Sequence, residues 1–215
     1  MELTQIVLYR FRNHSEFRSP VSRAVAVLGK NGSGKTAILE ALYFALNAAL
    51  PPKRAVAELA QDFHDPFFVR FGLLDESKES LPYEYLISAD PEKKTYSTSI
   101  QASTVSRAKY LAAIPFRAVL FSPDDIAVVY GPPSDRRDFL DEILSLSSAG
   151  FQTIKKSYHT ALKQRNSLLK KIAHSEAKES DLEPWDILLA SKGAQYREYR
   201  ESLIQFFSER VNFLE

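Results

Sequence analysis

The chain contains no cysteine among its 215 residues. A disulfide framework, a thiolate-held zinc ion and a cysteine nucleophile are therefore excluded. No apolar run approaches the ~18 residues that a membrane-crossing helix needs. Met1-Glu2-Leu3-Thr4 lacks the basic-then-apolar order of an export signal, so the expected location is cytoplasmic, with no membrane partner. The four histidines, at positions 14, 64, 159 and 174, show no metal-ligand spacing. An excess of one charge is absent too: 28 Lys and Arg face 27 Asp and Glu, leaving a net +1. Global electrostatics thus give no argument for nucleic acid, and any such case must rest on local clusters. What remains is an ordinary globular composition, 45% hydrophobic and 26% charged, long enough for one large or two small domains.

Against this plain background stands Gly29-Lys30-Asn31-Gly32-Ser33-Gly34-Lys35-Thr36, which fits the phosphate-cradling pattern G-x-x-x-x-G-K-[ST] at every fixed position. Val25-Ala26-Val27-Leu28 before it reads as a short buried strand. Ile38, Leu39, Leu42, Ala45 and Leu46 after it share one helix face. Strand, glycine turn and helix in that order are what the motif needs. The glycines let backbone N–H groups turn inward as an anion nest, and the helix N-terminus adds its positive dipole end. In this pattern Lys35 reaches the β- and γ-phosphates of ATP and the Thr36 hydroxyl takes a magnesium ion.

Two strands are expected in the first 28 residues, around Leu3–Tyr9 and Val25–Leu28, with Phe11-Arg12-Asn13-His14 between them. Pro51-Pro52-Lys53-Arg54 breaks the chain after the first helix. Phe67–Leu74, Tyr83–Ser88 and Thr95–Gln101, joined by polar loops, predict an antiparallel meander. A short helix over Val105–Ala112 and a strand over Ala118–Phe121 follow. Ser122-Pro123-Asp124-Asp125 is a helix start, and beyond it the pattern is almost wholly helical. Helices are expected from Ser134, over 151–174, and from the acidic connector Glu176–Glu183 to the end, with Gly150 as a C-cap between the first two. The boundaries predicted are 1–121 for a nucleotide-binding lobe and 122–215 for a helical lobe.

Phe71-Gly72-Leu73-Leu74-Asp75-Glu76 imitates the acidic strand end of a hydrolytic P-loop enzyme, but it falls within the meander and reads as a solvated strand end. Phe139-Leu140-Asp141-Glu142 sits mid-helix, where helical periodicity explains the apolar pair.

Three further stretches carry a family resemblance. Leu8-Tyr9-Arg10-Phe11-Arg12-Asn13-His14 is one. Phe121-Ser122-Pro123-Asp124-Asp125-Ile126 followed by Gly131-Pro132-Pro133-Ser134-Asp135-Arg136-Arg137-Asp138-Phe139-Leu140-Asp141 is the second. The third is Tyr158-His159-Thr160-Ala161-Leu162-Lys163-Gln164-Arg165-Asn166-Ser167-Leu168-Leu169-Lys170, continued by Trp185-Asp186 and Gly193-Ala194. Together they resemble the RecF family, bacterial DNA-repair ATPases related to the SMC proteins, over nearly the whole chain. The resemblance implies an α/β fold: a P-loop ABC-type ATPase head, with a mixed sheet containing the antiparallel meander as lobe I, and a helical lobe II. It implies ATP and magnesium as cofactors, an ATP-dependent homodimer, binding to DNA near single-strand/duplex junctions, and work with RecR to help RecA load. Lys30 through Thr36 would hold the phosphates, Arg12 would lie near the nucleotide, and Asp124 or Asp125 would lie where relatives carry a magnesium-sensing glutamine. The family's signature, acidic strand and switch histidine lie C-terminal to anything present, so a truncated chain that binds ATP without efficient hydrolysis is expected.

Arg136 and Arg137 fit either a DNA or partner contact or a solvated helix start shared with Asp135 and Asp138. Lys156, Lys163 and Lys170 fall near one stripe of a helix without acids, which fits a DNA-backbone surface or a plain solvated face. A small P-loop kinase and a non-catalytic interaction module are the competing functions.

Overall fold

The structure, a computed structural model, describes residues 1–52, 54–74 and 82–211. Two compact units divide the chain, Met1–Phe121 and Ser122–Glu215.

In the first unit, β1 (Glu2–Phe11), β2 (His14–Pro20), β3 (Phe67–Leu74), β4 (Tyr83–Asp90), β5 (Thr95–Ile100) and β6 (Ser103–Val105) form one sheet in the order β2-β1-β3-β4-β5-β6. Every pairing is antiparallel. Side chains alternate between sheet faces, so Ile6 and Leu8, then Phe67, Val69, Phe71 and Leu73, then Tyr85, Ile87 and Ala89 bury on one face. Against them packs α1 (Lys35–Asn47), whose Ala37, Ile38, Ala41, Phe44 and Ala45 share the same core. Each large side chain buried fully there contributes ~1.5–3 kcal/mol. Two short helices, α2 (Val56–Leu59) and α3 (Arg107–Ala112), complete the unit.

The meander is where the alternation placed it. Val25–Leu28 is not a strand: it pairs with neither edge of the sheet, β2 nor β6. Val27 alone of that run packs on the core, while Leu28 is 90% exposed. Ala118–Phe121, also expected as a strand, is likewise unpaired, and Phe121 is 83% exposed.

One buried amide holds that last segment. Asn47, fully buried at the end of α1, donates from Nδ2 to the carbonyl of Ala118 (2.9 Å) and accepts the Ala118 N–H on Oδ1 (3.0 Å). The side chain thus replaces the strand that Ala118 lacks. Asn47→Ala leaves both backbone groups unsatisfied and is expected to cost about 3 kcal/mol, read as a lower urea midpoint with an unchanged slope.

The second unit opens with a 3-10 turn, Pro123–Ile126, instead of a regular helix start, and a short α4 (Ala127–Tyr130) follows. In that turn the Asp125 carboxylate accepts the Ser122 N–H. Three long helices follow: α5 (Pro133–Ser147), α6 (Ala149–Ala173) and α7 (Glu183–Val211). Gly150 does not cap α5. The hydroxyl of Ser148 accepts the Phe151 N–H (3.2 Å), starting α6 at once and placing Gly150 in its first turn. Leu144, Phe151 and Tyr196 form the buried centre, with Ile154, Tyr158, Tyr199 and Leu203 packed around it.

Candidate functional site

The glycine loop turns as its residues demand. Gly32 (φ +81°) and Gly34 (φ +90°) occupy the left-handed region. A Cβ at Gly34 would lie 2.2 Å from Nε2 of His14, so no other residue fits there. α1 begins at Lys35 with no acid in its first turn, which leaves the positive helix end unneutralised. The first-turn N–H groups have no carbonyl partner one turn earlier and are available to an anion.

The β1–β2 hairpin tip braces the loop. Asn13 Nδ2 donates to the carbonyl of Gly32 (3.0 Å), and His14 Nε2 lies 3.2 Å from the carbonyl of Gly34. The Lys35 ammonium donates to the carbonyls of Gly29 (2.9 Å) and Lys30 (2.8 Å). Both Arg10 (φ +50°) and Arg12 (φ +51°) are held in the left-handed region. Pinning bonds come from the end of α2 and the segment after it: Arg12 N–H to Leu59 O and Gln61 N–H to Arg10 O, both 2.8 Å.

The result is an open cavity of about 920 Å³. Asn31, Gly32, Gly34, Lys35 and Thr36 line one side, and Arg12, Asn13, Gln61 and Phe63 line it as well. Of the residues expected to bind nucleotide, Gly29, Lys30 and Ser33 shape the turn rather than line the cavity; Ser33 N–H bonds Lys30 O at 3.2 Å. The other expected residues come together. Sequence reasoning missed His14 and Glu40, the latter the single acid among the apolar residues of α1. Among the described residues no group of three or more His, Asp or Glu side chains is placed to hold a metal ion.

The remaining candidates lie in the helical unit. Arg136 donates to the carbonyl of Gly131 (3.1 Å), closing the turn before α5. Arg137 lines a second cavity of about 920 Å³ between α5, α6 and α7. Lys156, Lys163 and Lys170 lie on α6, and all three are exposed. Asp141, a mid-helix residue in the sequence, is 4% exposed and accepts Arg200 Nε (2.7 Å), Arg200 Nη2 (2.9 Å) and the Tyr196 hydroxyl. Asp75 and Glu76 lie outside the described residues, as does the side chain of Asp124.

Residues 11–210 match the AAA domain family. The chain belongs to that family. Within it the chain is RecF-like. It is 28% identical over 208 residues to the DNA replication and repair protein RecF of Natranaerobius thermophilus, covering 95% of this chain and 52% of that protein. It is 34% identical over 215 residues to the RecF of Trichlorobacter lovleyi, covering all of this chain and 54% of the relative. A solved structure of the recombination mediator protein RecF-ATPrS in the RecFOR pathway superposes with a TM-score of 0.81 at 26% identity, over 95% of this chain and 54% of that one. The Smc head domain of Pyrococcus furiosus shares the fold, with a TM-score of 0.51 at 18% identity over 96% of this chain and 58% of that one. The chain spans about half the length of the curated relatives it matches. The α/β ATPase head joined to helices is thus the architecture of the RecF-like chain. No helix among the described residues is long and apolar enough to cross a membrane.

Proposed function

We propose that this RecF-like chain binds ATP at the cavity formed by Asn31–Thr36 and Arg12, as the nucleotide-binding part of a DNA-repair protein. The observation that carries the reading is the convergence on one cavity of two left-handed glycines, an unneutralised helix end, Lys35 and Arg12. Thr36 is the magnesium hydroxyl of this reading. Glu58, on the cavity wall, is engaged by the Ala55 N–H (2.6 Å) of its own helix cap. Binding, rather than hydrolysis by this chain alone, is the activity these residues support.

ATP would serve assembly of a homodimer that binds DNA at single-strand/duplex junctions and acts with a RecR-type partner in loading RecA. A small P-loop kinase needs a parallel sheet, which the antiparallel order does not provide.

The DNA part of the reading rests on Lys156, Lys163 and Lys170, with Arg136 and Arg137 as further contacts. Replacing the three lysines by alanine is expected to weaken binding of junction DNA about tenfold. It should also reduce the slope of log affinity against log salt by ~0.9 for each phosphate no longer neutralised. Fluorescence anisotropy at several salt concentrations measures both. An unchanged salt slope contradicts the assignment.

A further inference from the structure

Glu40 is the only acidic residue in α1, 4% exposed amid side chains that are otherwise almost all apolar. A carboxylate taken out of water there costs several kcal/mol unless paired, and an apolar residue of similar size would commonly serve stability as well or better. Its position is also electrostatically awkward. Glu40 follows Thr36 by one helical turn on the same face, and helix side chains lean toward the N-terminus, here the glycine loop. An unpaired negative charge so close would oppose phosphate binding.

Two arginines from separate segments answer that charge. Arg12 Nη1, from the hairpin tip, donates to Oε2 of Glu40. Arg54 Nε, from the segment after α1, donates to Oε1 (3.0 Å). The cluster carries a net positive charge, and Arg12 is its member on the cavity wall. A guanidinium has five N–H donors. The bond to Glu40 fixes the fork and leaves other donors for phosphate oxygens. The backbone of Arg12 is held in its left-handed turn by the bond to Leu59, so both ends of the side chain are fixed.

We propose that Glu40 is a positioning residue for nucleotide recognition: it holds the Arg12 guanidinium in place for the phosphates of a nucleoside triphosphate, while Arg54 cancels the charge that would otherwise repel them. This rests on the nucleotide reading of the cavity. Arg12 presented without Glu40 samples many rotamers, and their entropy is then lost on binding.

The test is a double-mutant cycle on ATP affinity, by calorimetry, with thermal unfolding followed for each chain. Glu40→Gln keeps the shape and removes the charge, and Arg12→Ala removes a partly exposed side chain. Each is expected to weaken ATP binding about tenfold, and the double variant to bind no more weakly than Arg12→Ala alone. Losses that add in the double variant overturn the proposal. So does a Glu40→Gln chain that melts at a lower temperature but binds ATP as the unmodified chain does, which is the behaviour of a purely structural ion pair. An unmodified chain that fails to bind ATP overturns the nucleotide reading itself and the role of Glu40 with it. Binding that is lost in Lys35→Ala but kept in Glu40→Gln overturns only the role of Glu40.

Discussion

Lys35→Ala is expected to weaken ATP binding about 100-fold while leaving the unfolding transition of the chain nearly unchanged. The affinity loss follows from the ligand side. A lysine bond to phosphate is charge-assisted and worth ~1.5–3 kcal/mol, and each ~1.4 kcal/mol is a factor of ten. The small stability change follows from the protein side. Lys35 is half-buried at the loop and bonds only the carbonyls of Gly29 and Lys30, both on exposed residues where water can replace it. Calorimetric titration with ATP and a thermal melt separate the two. An affinity within twofold of the unmodified chain would mean that the cavity is not where ATP binds.

Asp141→Ala carries the largest expected stability effect, a loss of ~3–5 kcal/mol, because it strands the charges that surround a buried carboxylate. Arg200 loses two bonds at once, the Tyr196 hydroxyl loses its acceptor, and Lys155, 3.7 Å away, loses its counter-charge. Tyr196 is itself part of the buried centre that joins α6 to α7, so the packing loosens with the charges. Denaturant unfolding followed by helical ellipticity measures the loss, and a change under 1 kcal/mol contradicts the assignment of Asp141 as the hub.

The same cluster sets a pH dependence. Burial pushes the Asp141 carboxyl up, but the hydrogen bonds of Arg200 and Tyr196, with the charges of Arg200 and Lys155, outweigh it and hold the group below the usual carboxylate range. A folded value below the unfolded ~3.9 stabilises the fold fully above that pH. That contribution is lost as pH falls through the lower, folded value. Between pH 7 and pH 5 this group therefore changes nothing, and the helical unit loosens only in more acid solution. Tyr196 is shifted upward by burial and then by Asp141, so its phenol remains a hydrogen-bond donor through neutral and alkaline pH.

What could be read in the sequence follows the range of the forces involved. The glycine turn leading into α1 was legible because its signal is contained in eight consecutive residues. β3, β4 and β5 were legible because a sheet with one buried face imposes alternation on each strand separately. Val25–Leu28 has the composition of a strand, but a strand also needs a partner, and composition carries no record of that. β2 went unread for the opposite reason: in His-Ser-Glu-Phe-Arg-Ser-Pro only Phe17 is a large apolar residue, as suits an edge strand exposed along most of its length. The charges hidden in helices were hardest. Glu40 is explained by Arg12 and Arg54, 28 and 14 residues away, and Asp141 by Arg200 and Tyr196, 59 and 55 residues away. Helical periodicity accounted for the apolar neighbours of Asp141 and gave no hint that Asp141 itself faced inward.

Amide hydrogen exchange with and without ATP and magnesium tests the central claim most directly. Bound phosphates would engage the N–H groups of residues 32–37, and the hairpin tip at residues 12–14 would be clamped through Arg12 and Asn13. Slower exchange confined to those two segments, and abolished in Lys35→Ala, is the predicted result. Saturating ATP that leaves exchange at 32–37 unchanged, or slows it elsewhere in the chain instead, would contradict ATP binding at this loop.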